Sequence, residues 1–578
     1  MKKIIIFTLL IGLMPFATNA AIDAFGMNMH LRERVTSTKW DDAIDLAGEA
    51  NIKWAREQFN WDVIEPNDDT FSWTQYDTII GKYSAANINV VGLITNSSSW
   101  SSSNPGSSDY YHYPPDMDAW KDYVYELALH YKDDIDYWEI WNEPNLDGSW
   151  EDEVDAEEYA TYLKAAYDKI TEANPDAKII IGGMSGTDTV YLNTLFEFID
   201  ENYNYAPFDI VAVHPYRVKD DNFNYTPEET VTGLNTLVTD LYNLKATLRK
   251  NSHGSVPIWL TEFGWSTYAD GVYDKTQASL LMRQIVLALS VPDVNKLFWY
   301  DFRDDSDSES YVESNFGILN NNWSKKIAFY TYNNLAERLY GATYQSPQLL
   351  NKSTIDDFSN ANSWKFKGTL NAEGSITESG SNKLKVHYEF TGEDTNSYAP
   401  ISKEIILPAK ARILQFRAKG TNSTTELRLR VKDTTGEIFQ YNIGYLPQEW
   451  LTYRVDLTNY SGNWNGDADG KLDRPLKFQS FVLDDNPDGS KDTGNVYFRK
   501  LKSSSYAGVH VYKFKKSGLP TYVIWNTNGF KRITLKLSKA TRIRVVKTRS
   551  TSTKLNTNHK FNLKIGTRPK IIQVITQE

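Results

Sequence analysis

The sequence predicts an α/β fold, a (β/α)8 TIM barrel, followed by a β-sandwich (jelly-roll-like) domain and a small C-terminal all-β domain. From Ala24 to Tyr340, short β-type runs alternate with longer amphipathic stretches, which is typical of parallel strands joined by helices. Eight such pairs occur in about 320 residues, as expected of this barrel with insertions. After Tyr340 the pattern changes to short alternating strands separated by Gly, Asn, Asp and Ser turns.

Each predicted barrel strand precedes a predicted helix. The eight strands are Phe25–His30, Ile52–Phe59, Ile88–Thr95, Tyr137–Asn142, Lys178–Gly183, Phe208–Pro215, Pro257–Phe263 and Lys296–Phe302. The helices that follow them are Trp40–Ala50, Tyr76–Ala86, Met117–Tyr131, Ala156–Ala173, Tyr191–Tyr203, Pro227–Lys250, Thr276–Ser290 and Ser324–Tyr340. We therefore assign residues 21–345 to the barrel.

Two β domains are predicted after the barrel. Residues 351–505 form the middle one, and its Ile355-Asp356-Asp357-Phe358 start, with Trp364 soon after, resembles jelly-roll carbohydrate-binding modules. Residues 506–578 form a smaller domain, which residues 341–350 are expected to complete. The middle sandwich would then be an insertion in this last unit.

The N-terminus has the pattern of a bacterial secretory signal. Two lysines precede the apolar run Ile4–Phe16 and the small-residue segment Ala17–Ala20, so residues 1–20 are expected to be removed on export to the periplasm or the medium. The run is shorter than the about 20 residues of a membrane-spanning helix. The chain has no Cys, which excludes disulfides, a thiolate nucleophile and cysteine-ligated metals.

Charge is unevenly distributed along the chain. Residues 506–578 hold sixteen Lys and Arg against one acid, Glu578, while the whole chain has a net charge of −12. Such a basic end favours contact with an anionic surface polymer or with the acidic part of the same chain. A solvated basic face is an equally good interpretation, and an exported protein is not expected to bind nucleic acid.

Two glutamates at strand ends carry the expected chemistry. Active sites of (β/α)8 barrels lie at the C-terminal ends of the strands. Glu143 follows strand four and Glu262 ends strand seven, on opposite sides of the barrel, so the two can face each other across its mouth. Retaining cleavage of a glycosidic bond needs two carboxyl groups about 5–5.5 Å apart, one as nucleophile and one as proton donor.

These motifs resemble a known enzyme family. Trp141-Asn142-Glu143-Pro144 and Thr261-Glu262-Phe263-Gly264 resemble the retaining glycoside hydrolases of clan A. The segments Tyr113–Asp116, Tyr137–Ile140 and Asn315–Ile318 are most similar to family 39 and its bacterial relatives that cut exopolysaccharides. The resemblance covers residues 22–345. It implies that Glu143 is the general acid/base, that Glu262 is the nucleophile and that Asn142 binds the sugar 2-hydroxyl.

Further site residues are implied by the same resemblance. Arg56 would keep the nucleophile ionised, since a nearby cation lowers a carboxyl pKa. His214 and Tyr216 would flank the nucleophile, and Trp299 would form an aromatic floor under the sugar. His30 and Trp265 are additional candidate substrate contacts. Arg56 could instead be part of a buried ion pair, and His214, Tyr216 and Trp299 could be core residues. For His30 the structural interpretation is preferred.

The loops predict the class of substrate. Residues 96–108, with Trp100, and the acidic residues 301–313 should line the cleft. An acidic rim favours a neutral or amino-bearing glycan, although solvated surface charge is an equally plausible interpretation. The Trp and Tyr residues of the mouth loops would suit several sugar subsites, and hence an enzyme that cuts a polysaccharide internally. An exo-acting β-xylosidase is the enzymatic alternative, and a non-catalytic glycan-binding scaffold is the alternative of another class. Neither a cofactor nor a catalytic metal is expected.

One segment of the middle domain has acids spaced like the start of a calcium loop. Asn465–Gly470 carries Asp467 and Asp469, yet position 12 is Leu476, where a bidentate Glu would belong. A polar turn is therefore favoured, with structural calcium as the alternative.

Overall fold

The computed structural model of the chain describes residues 20–577, apart from 152, 219–221, 223, 231–234, 309, 370, 392–396, 422–424, 486–491, 538–539, 549 and 556–558. The signal peptide predicted at residues 1–20 therefore lies outside the described residues, except for Ala20. Within the described ranges, every helix is too short or too polar to span a lipid bilayer.

Eight parallel strands form a closed barrel in sequence order, which confirms the predicted fold class. The strands are β1 Phe25–Asn28, β2 Trp54–Asn60, β3 Asn89–Thr95, β4 Tyr137–Asn142, β5 Lys178–Ser185, β6 Val211–His214, β7 Ile258–Leu260 and β8 Val294–Trp299. The helices are α1 Leu31–Arg34, α2 Trp40–Glu49, α3 Trp61–Ile64, α4 Thr74–Ala85, α5 Met117–His130, α6 Ala156–Ala173, α7 Thr189–Asn202, α8 Leu237–Lys250, α9 Asp274–Ala288 and α10 Ile327–Leu339.

Side-chain caps fix the start of several barrel helices. Asp116, Asp155 and Asp188 accept hydrogen bonds from backbone N–H groups in the first turns of α5, α6 and α7, which satisfies donors that the helix itself leaves unpaired. Thr236 caps α8 in the same way. The helix predicted from Pro227 therefore begins ten residues later, because the extended backbone of Thr236 sets its start.

The barrel interior is filled by apolar side chains from six strands and their flanks. A separate buried cluster joins Trp54, Val91, Ile180, Ile210, Ala212, Trp259 and Phe298. Gly92, next to Val91 in β3, makes room instead for Trp138 of the main core, since a Cβ there would lie 2.3 Å from the Trp138 ring. Arg56, His214 and Glu262 follow the cluster residues Trp54, Ala212 and Trp259 by two or three positions along the chain. The cluster therefore forms the floor of any site at the C-terminal ends.

The rest of the chain forms antiparallel sheets. The strands are β9 Thr343–Pro347, β10 Lys352–Asp356, β11 Lys365–Phe366, β12 Ala372–Glu378, β13 Leu384–Phe390, β14 Tyr398–Ile406, β15 Ile413–Gly420, β16 Glu426–Lys432, β17 Ile438–Tyr445, β18 Leu451–Asp456, β19 Gly462–Trp464, β20 Lys477–Asp484, β21 Thr493–Ser504, β22 Val509–Lys516, β23 Leu519–Asn526, β24 Lys531–Lys536, β25 Ala540–Lys547, β26 Ser550–Leu555, β27 Lys560–Ile565 and β28 Lys570–Gln577.

These strands make three six-stranded sheets and one two-stranded sheet. One sheet has the order β12-β13-β21-β15-β18, with β10 also on β21, and a second has the order β11-β14-β20-β16-β17-β19. The third, β26-β25-β28-β23-β22-β9, is accompanied by the pair β24-β27. Because β9 pairs with β22, the chain just after the barrel joins a sheet made of residues beyond 505. The domain boundaries themselves stay a prediction.

Ion pairs and hydrogen bonds join the barrel to the β sheets. Glu449 accepts from Lys245 and Arg249 of α8, and Trp525 Nε1 donates to Glu228 Oε1 at 2.7 Å. Glu228 also pairs with Arg283 of α9. The β sheets are thus fixed against the outer helices, away from the C-terminal ends of the barrel strands.

Candidate active site

A cavity of about 620 Å³ opens at the C-terminal ends of the barrel strands. Seven of the nine predicted site residues line it: His30, Arg56, Asn142, Glu143, His214, Tyr216 and Glu262. A larger cavity of about 1880 Å³ lies between the barrel and the β sheets, and no predicted site residue lines it. The chemistry therefore belongs to the smaller cavity, whose volume is in the range of small-molecule sites.

Glu262 is held as a carboxylate. Its Oε1 accepts from Arg56 Nη1 at 2.6 Å, and its Oε2 accepts from Tyr216 Oη at 2.9 Å. Burial would raise the pKa of the Glu262 carboxyl, but the charges of His214 and Arg56 and the Tyr216 hydrogen bond lower this pKa to about 2. Glu262 is therefore ionised at any ordinary pH.

A second buried glutamate positions Arg56. Glu139 Oε2 accepts from Arg56 Nε at 2.7 Å, and both side chains are almost fully buried. Asn28 Oδ1 accepts from Arg56 Nη1 at 3.0 Å. Burial would lower the pKa of Arg56, but Glu139 and Glu262 raise it, so its charge is permanent. Our sequence analysis missed Glu139 as a site residue, although a charged residue between two buried tryptophans in β4 was a signal.

Glu143 lies close to Glu262 through His214. The imidazole Nδ1 is 2.9 Å from Glu143 Oε1 and 3.9 Å from Glu262 Oε2. These two carboxylate oxygens are therefore no more than about 7 Å apart. This limit is compatible with the separation of about 5–5.5 Å between the carboxyl groups of retaining glycosidases. It excludes most of the range of about 6.5–9.5 Å found in inverting glycosidases. The two glutamates predicted from strand ends thus share one cleft.

The His214 ring lies between Thr261 and Glu143. Thr261 Oγ1 donates to Glu139 Oε1 at 3.0 Å, so its oxygen is left to accept from His214 Nε2 at 3.1 Å. The other ring nitrogen, Nδ1, lies 2.9 Å from Glu143 Oε1, and the proton of this hydrogen bond can belong to either group. Burial would lower the pKa of His214, but Glu262 and Glu143 raise it. A proton is therefore held between His214 and Glu143.

Gly183 leaves the space that the His214 ring occupies. A Cβ at this position would lie 2.1 Å from His214 Nε2 and 2.7 Å from Thr261 Oγ1. The backbone N–H of Gly183 also donates to Glu139 Oε1 at 3.0 Å, and its carbonyl accepts from Glu143 N at 3.0 Å. A side chain on β5 would therefore displace the groups around both glutamates.

The backbone around Glu143 is strained. Trp141 and Glu143 have φ values of 70° and 47°, a left-handed conformation that costs energy for residues other than Gly. The Trp141 indole is held by edge contacts with Trp120 and Trp150 and donates to Ser149 O at 2.6 Å. Packing beneath the strand end thus maintains the conformation that brings Glu143 to the cleft.

Asn142 and His30 lie on the cleft wall with donors available to a ligand. Asn142 Oδ1 accepts from Arg56 Nη2 at 2.8 Å, which leaves its amide NH₂ as the group to donate to a sugar hydroxyl. Neither ring nitrogen of His30 has a hydrogen-bond partner among the described residues, and Glu33 Oε2 lies 3.5 Å from Nδ1. Burial lowers the pKa of His30, so this ring is neutral.

Trp299 and Trp265 do not line the cleft, which corrects the expectation for both. Trp299 is fully buried, stacks on Trp265 and donates from Nε1 to Phe316 O at 3.3 Å. Trp265 donates to Tyr225 O at 3.1 Å. Because successive side chains of a strand face opposite sides, the next residue, Tyr300, lines the cleft instead.

The two mouth loops contribute polar residues rather than tryptophan. Asn96 and Glu313 line the cleft, whereas Trp100 is turned away and donates to Glu65 O at 3.0 Å. Burial and the charge of Glu262 raise the pKa of Glu313. Arg34 also lines the cleft but pairs with Asp301 and Asp305, so the cleft carries three carboxyl groups and few free cations among the described residues.

Comparison with known proteins identifies the family. Residues 51–357, more than half of the chain, match the model of Glycosyl hydrolases family 39. A family 39 glycoside hydrolase from the gut symbiont Bacteroides cellulosilyticus WH2 is 18% identical, with 81% of each chain covered and a TM-score of 0.47. A monomeric β-xylosidase from Caulobacter crescentus CB15 is 12% identical, covering 84% of this chain and 97% of that chain with a TM-score of 0.45. Enzymes of family 39 need no cofactor. The chain belongs to glycosyl hydrolase family 39, of clan A, and is a glycoside hydrolase.

Proposed function

We propose that the protein is a retaining glycosidase in which Glu262 is the nucleophile and Glu143 is the general acid/base. The observation that carries this assignment is the contrast between the two carboxyl groups. Arg56 and Tyr216 hold Glu262 ionised, whereas Glu143 shares a proton with His214. A retaining mechanism needs one charged and one protonated carboxyl group on opposite sides of the anomeric centre.

The reaction would proceed in two displacements. In the first, a Glu262 oxygen bonds to the anomeric carbon, the bond to the leaving oxygen breaks, and the proton held by Glu143 and His214 passes to that oxygen. In the second, Glu143 takes a proton from water, the hydroxyl attacks the anomeric carbon and Glu262 leaves as a carboxylate. Arg56 and Tyr216 then stabilise the released charge.

Azide rescue tests these roles. In Glu262→Ala, azide should attack the anomeric carbon from the vacated side and give a glycosyl azide of inverted configuration. In Glu143→Ala, azide should attack the glycosyl-enzyme and give a retained configuration. Glu313→Gln, a variant of the third cleft carboxyl, should turn over substrate without azide and form no glycosyl azide. A retained azide product from the Glu262 variant would contradict the assignment.

The substrate we propose is a neutral or amino-bearing polysaccharide that is cut internally. The three cleft carboxyl groups support this, because they repel an anionic sugar while Arg34 is already paired. No Trp among the described residues lines the cleft, so the support for internal cleavage is weaker than the sequence suggested. An exo-acting β-xylosidase is the alternative, and the Caulobacter crescentus relative is a β-xylosidase.

Product analysis distinguishes these two modes. A reducing-sugar screen over purified polysaccharides would identify the substrate, and chromatography of early products would show how it is cut. Oligosaccharides of several lengths at low conversion would support internal cleavage, whereas xylose alone would support exo action. Export is also a proposal, tested by fractionating the producing cells and sequencing the N-terminus of the mature protein.

A basic face at the C-terminal end supports contact with an anionic surface polymer. β24 pairs with β27 so that Arg532 lies opposite Lys564 and Lys536 opposite Lys560, and all four side chains are exposed. Like charges directly opposite each other are destabilising, and a bound polyanion would relieve this repulsion. The full-length protein should be retained on polygalacturonate beads in a salt-sensitive manner. Equal retention on dextran beads, or no loss of retention in Lys536→Ser/Lys564→Ser, would contradict this.

A further inference from the structure

We propose that the middle β-sandwich binds a calcium ion through Asp433, Glu437 and Asp467. Asp433 and Glu437 flank the turn between β16 and β17, and Asp467 belongs to the loop after β19. One carboxylate oxygen from each residue lies within 4.8 Å of the others. Oxygen ligands lie about 2.3–2.6 Å from Ca²⁺, so two of them on opposite sides of one ion are separated by about this distance.

Charge and burial indicate that a cation is needed here. Asp433 is 4% exposed and Glu437 is fully buried. Among the described residues, no Lys, Arg or His forms an ion pair with any of the three carboxylates, and Lys471 pairs with Asp469 instead. Buried carboxylates without a counter-charge are costly, and a divalent cation would offset most of the three negative charges.

Glu437 has one carboxylate oxygen without a partner, which also points to a bound cation. Glu437 Oε2 is buried and has no hydrogen-bond partner in the described part of the chain. Its other oxygen accepts from the Asn463 side chain and from Gly470 N, which fixes the carboxylate in place. A buried acceptor left in this way indicates a ligand that the protein itself does not supply.

The remaining oxygens divide between the turn and the cation. Asp433 Oδ1 accepts from Thr435 Oγ1 and from the N–H groups of Thr435, Gly436 and Glu437, so it holds the turn. Asp433 Oδ2 has one bond of 3.3 Å from Asp473 N and is the oxygen left for a cation. Asp467 Oδ1 accepts from Thr435 Oγ1 at 2.9 Å.

Glu437 supplies the glutamate that the calcium-like sequence segment lacks at its position 12. Position 12 of the calcium-like segment is Leu476, which is buried at 1% exposure and cannot bind a metal. The glutamate of the proposed site is Glu437, which lies in the turn before β17, 30 positions before Asp467. The motif therefore supplies one ligand, Asp467, and the neighbouring turn supplies two.

A second acidic group serves as a control rather than a site. Glu65, Asp68 and Asp69 also lie close together, but both aspartates are exposed, and Glu65 already accepts from Trp61 Nε1 and Asp69 N. It has no buried oxygen left without a partner. Asp68→Asn thus removes an acidic group of the same kind without touching the proposed site.

Calorimetric titration of the full-length protein with CaCl₂, after EDTA treatment and removal of the chelator, tests the proposal. We expect one ion per chain, a higher melting temperature with Ca²⁺, and weaker binding of Mg²⁺, which requires stricter octahedral geometry. In Glu437→Gln, calcium affinity should fall at least about tenfold, because affinity follows the charge of the ligand set. Asp68→Asn should bind like the wild type.

Two results would contradict calcium binding at this site. Absence of binding in the wild type, or wild-type affinity in Glu437→Gln, would overturn the proposal. If Glu437→Gln does not fold, Asp467→Asn, at an exposed position, replaces it with the same expected loss. Glycosidase activity at saturating substrate should not depend on Ca²⁺, so this proposal can fail while the proposed mechanism stands.

Discussion

Replacing Tyr216 with Phe removes one hydrogen bond to Glu262 and keeps the ring. The hydroxyl donates to Glu262 Oε2 at 2.9 Å, while the ring makes edge contacts with Tyr300 and Phe316 that Phe retains. A hydrogen bond to a charged group contributes about 1.5–3 kcal/mol, and each pKa unit corresponds to about 1.36 kcal/mol. The bond favours the carboxylate, so its loss should raise the pKa of Glu262 from about 2 by roughly 1–2 units.

The assay is the pH dependence of kcat/KM on an aryl glycoside that the wild-type enzyme turns over. In the wild type, protonation of Glu262 should not reduce kcat/KM above about pH 3, whereas in Tyr216→Phe an acid limb should appear at about pH 3–4. Tyr300→Phe removes a hydroxyl from the same cleft that does not bond to Glu262, and its acid limb should match the wild type. An unshifted limb in Tyr216→Phe would refute the reasoning.

Four further substitutions test how the site is held. Glu139→Gln removes one of the two carboxylates that pair with Arg56 and should lower the free energy of unfolding by about 1.5–3 kcal/mol, the contribution of a hydrogen bond to a charged group; an unchanged urea midpoint would contradict this. Gly183→Ala should displace His214 and reduce kcat/KM at least about 100-fold with an unchanged circular dichroism spectrum, and wild-type kinetics would show that the ring has room. Tyr300→Ala should raise KM, whereas Trp299→Phe should lower the melting temperature without changing KM; the reverse pattern would place Trp299 at the sugar.

The sequence predicted the barrel and its two central glutamates because both follow from patterns that burial imposes. Runs such as Ile179–Gly183 are apolar since both faces of a parallel strand are covered, and the topology then places every strand end at one mouth. Glu143 and Glu262 were identified by that rule. The start of α8 was predicted at Pro227 rather than at Leu237. The residues before Thr236 are as polar as Thr236 itself, so the sequence does not single out Thr236 as the cap.

What the sequence could not predict depends on side-chain direction and on contacts between distant segments. Trp299 and Tyr300 are adjacent aromatics at the end of β8, and only the backbone geometry decides which of them lines the cleft. Glu139 occupies a strand position where burial predicts an apolar residue, and its function appears only with Arg56 from β2. Glu437 likewise meets Asp467 through packing of two loops.

In the proposed mechanism, Glu262 forms the covalent intermediate. The most direct test is mass spectrometry of the enzyme after incubation with a 2-deoxy-2-fluoro glycoside of its substrate sugar bearing a good leaving group, since the fluorine slows both displacements by destabilising the oxocarbenium-like transition state. We predict an adduct of one fluorosugar per chain on the peptide containing Glu262, with none in Glu262→Gln. An adduct on Glu143 or Glu313, or turnover with inverted configuration and no adduct, would contradict the account.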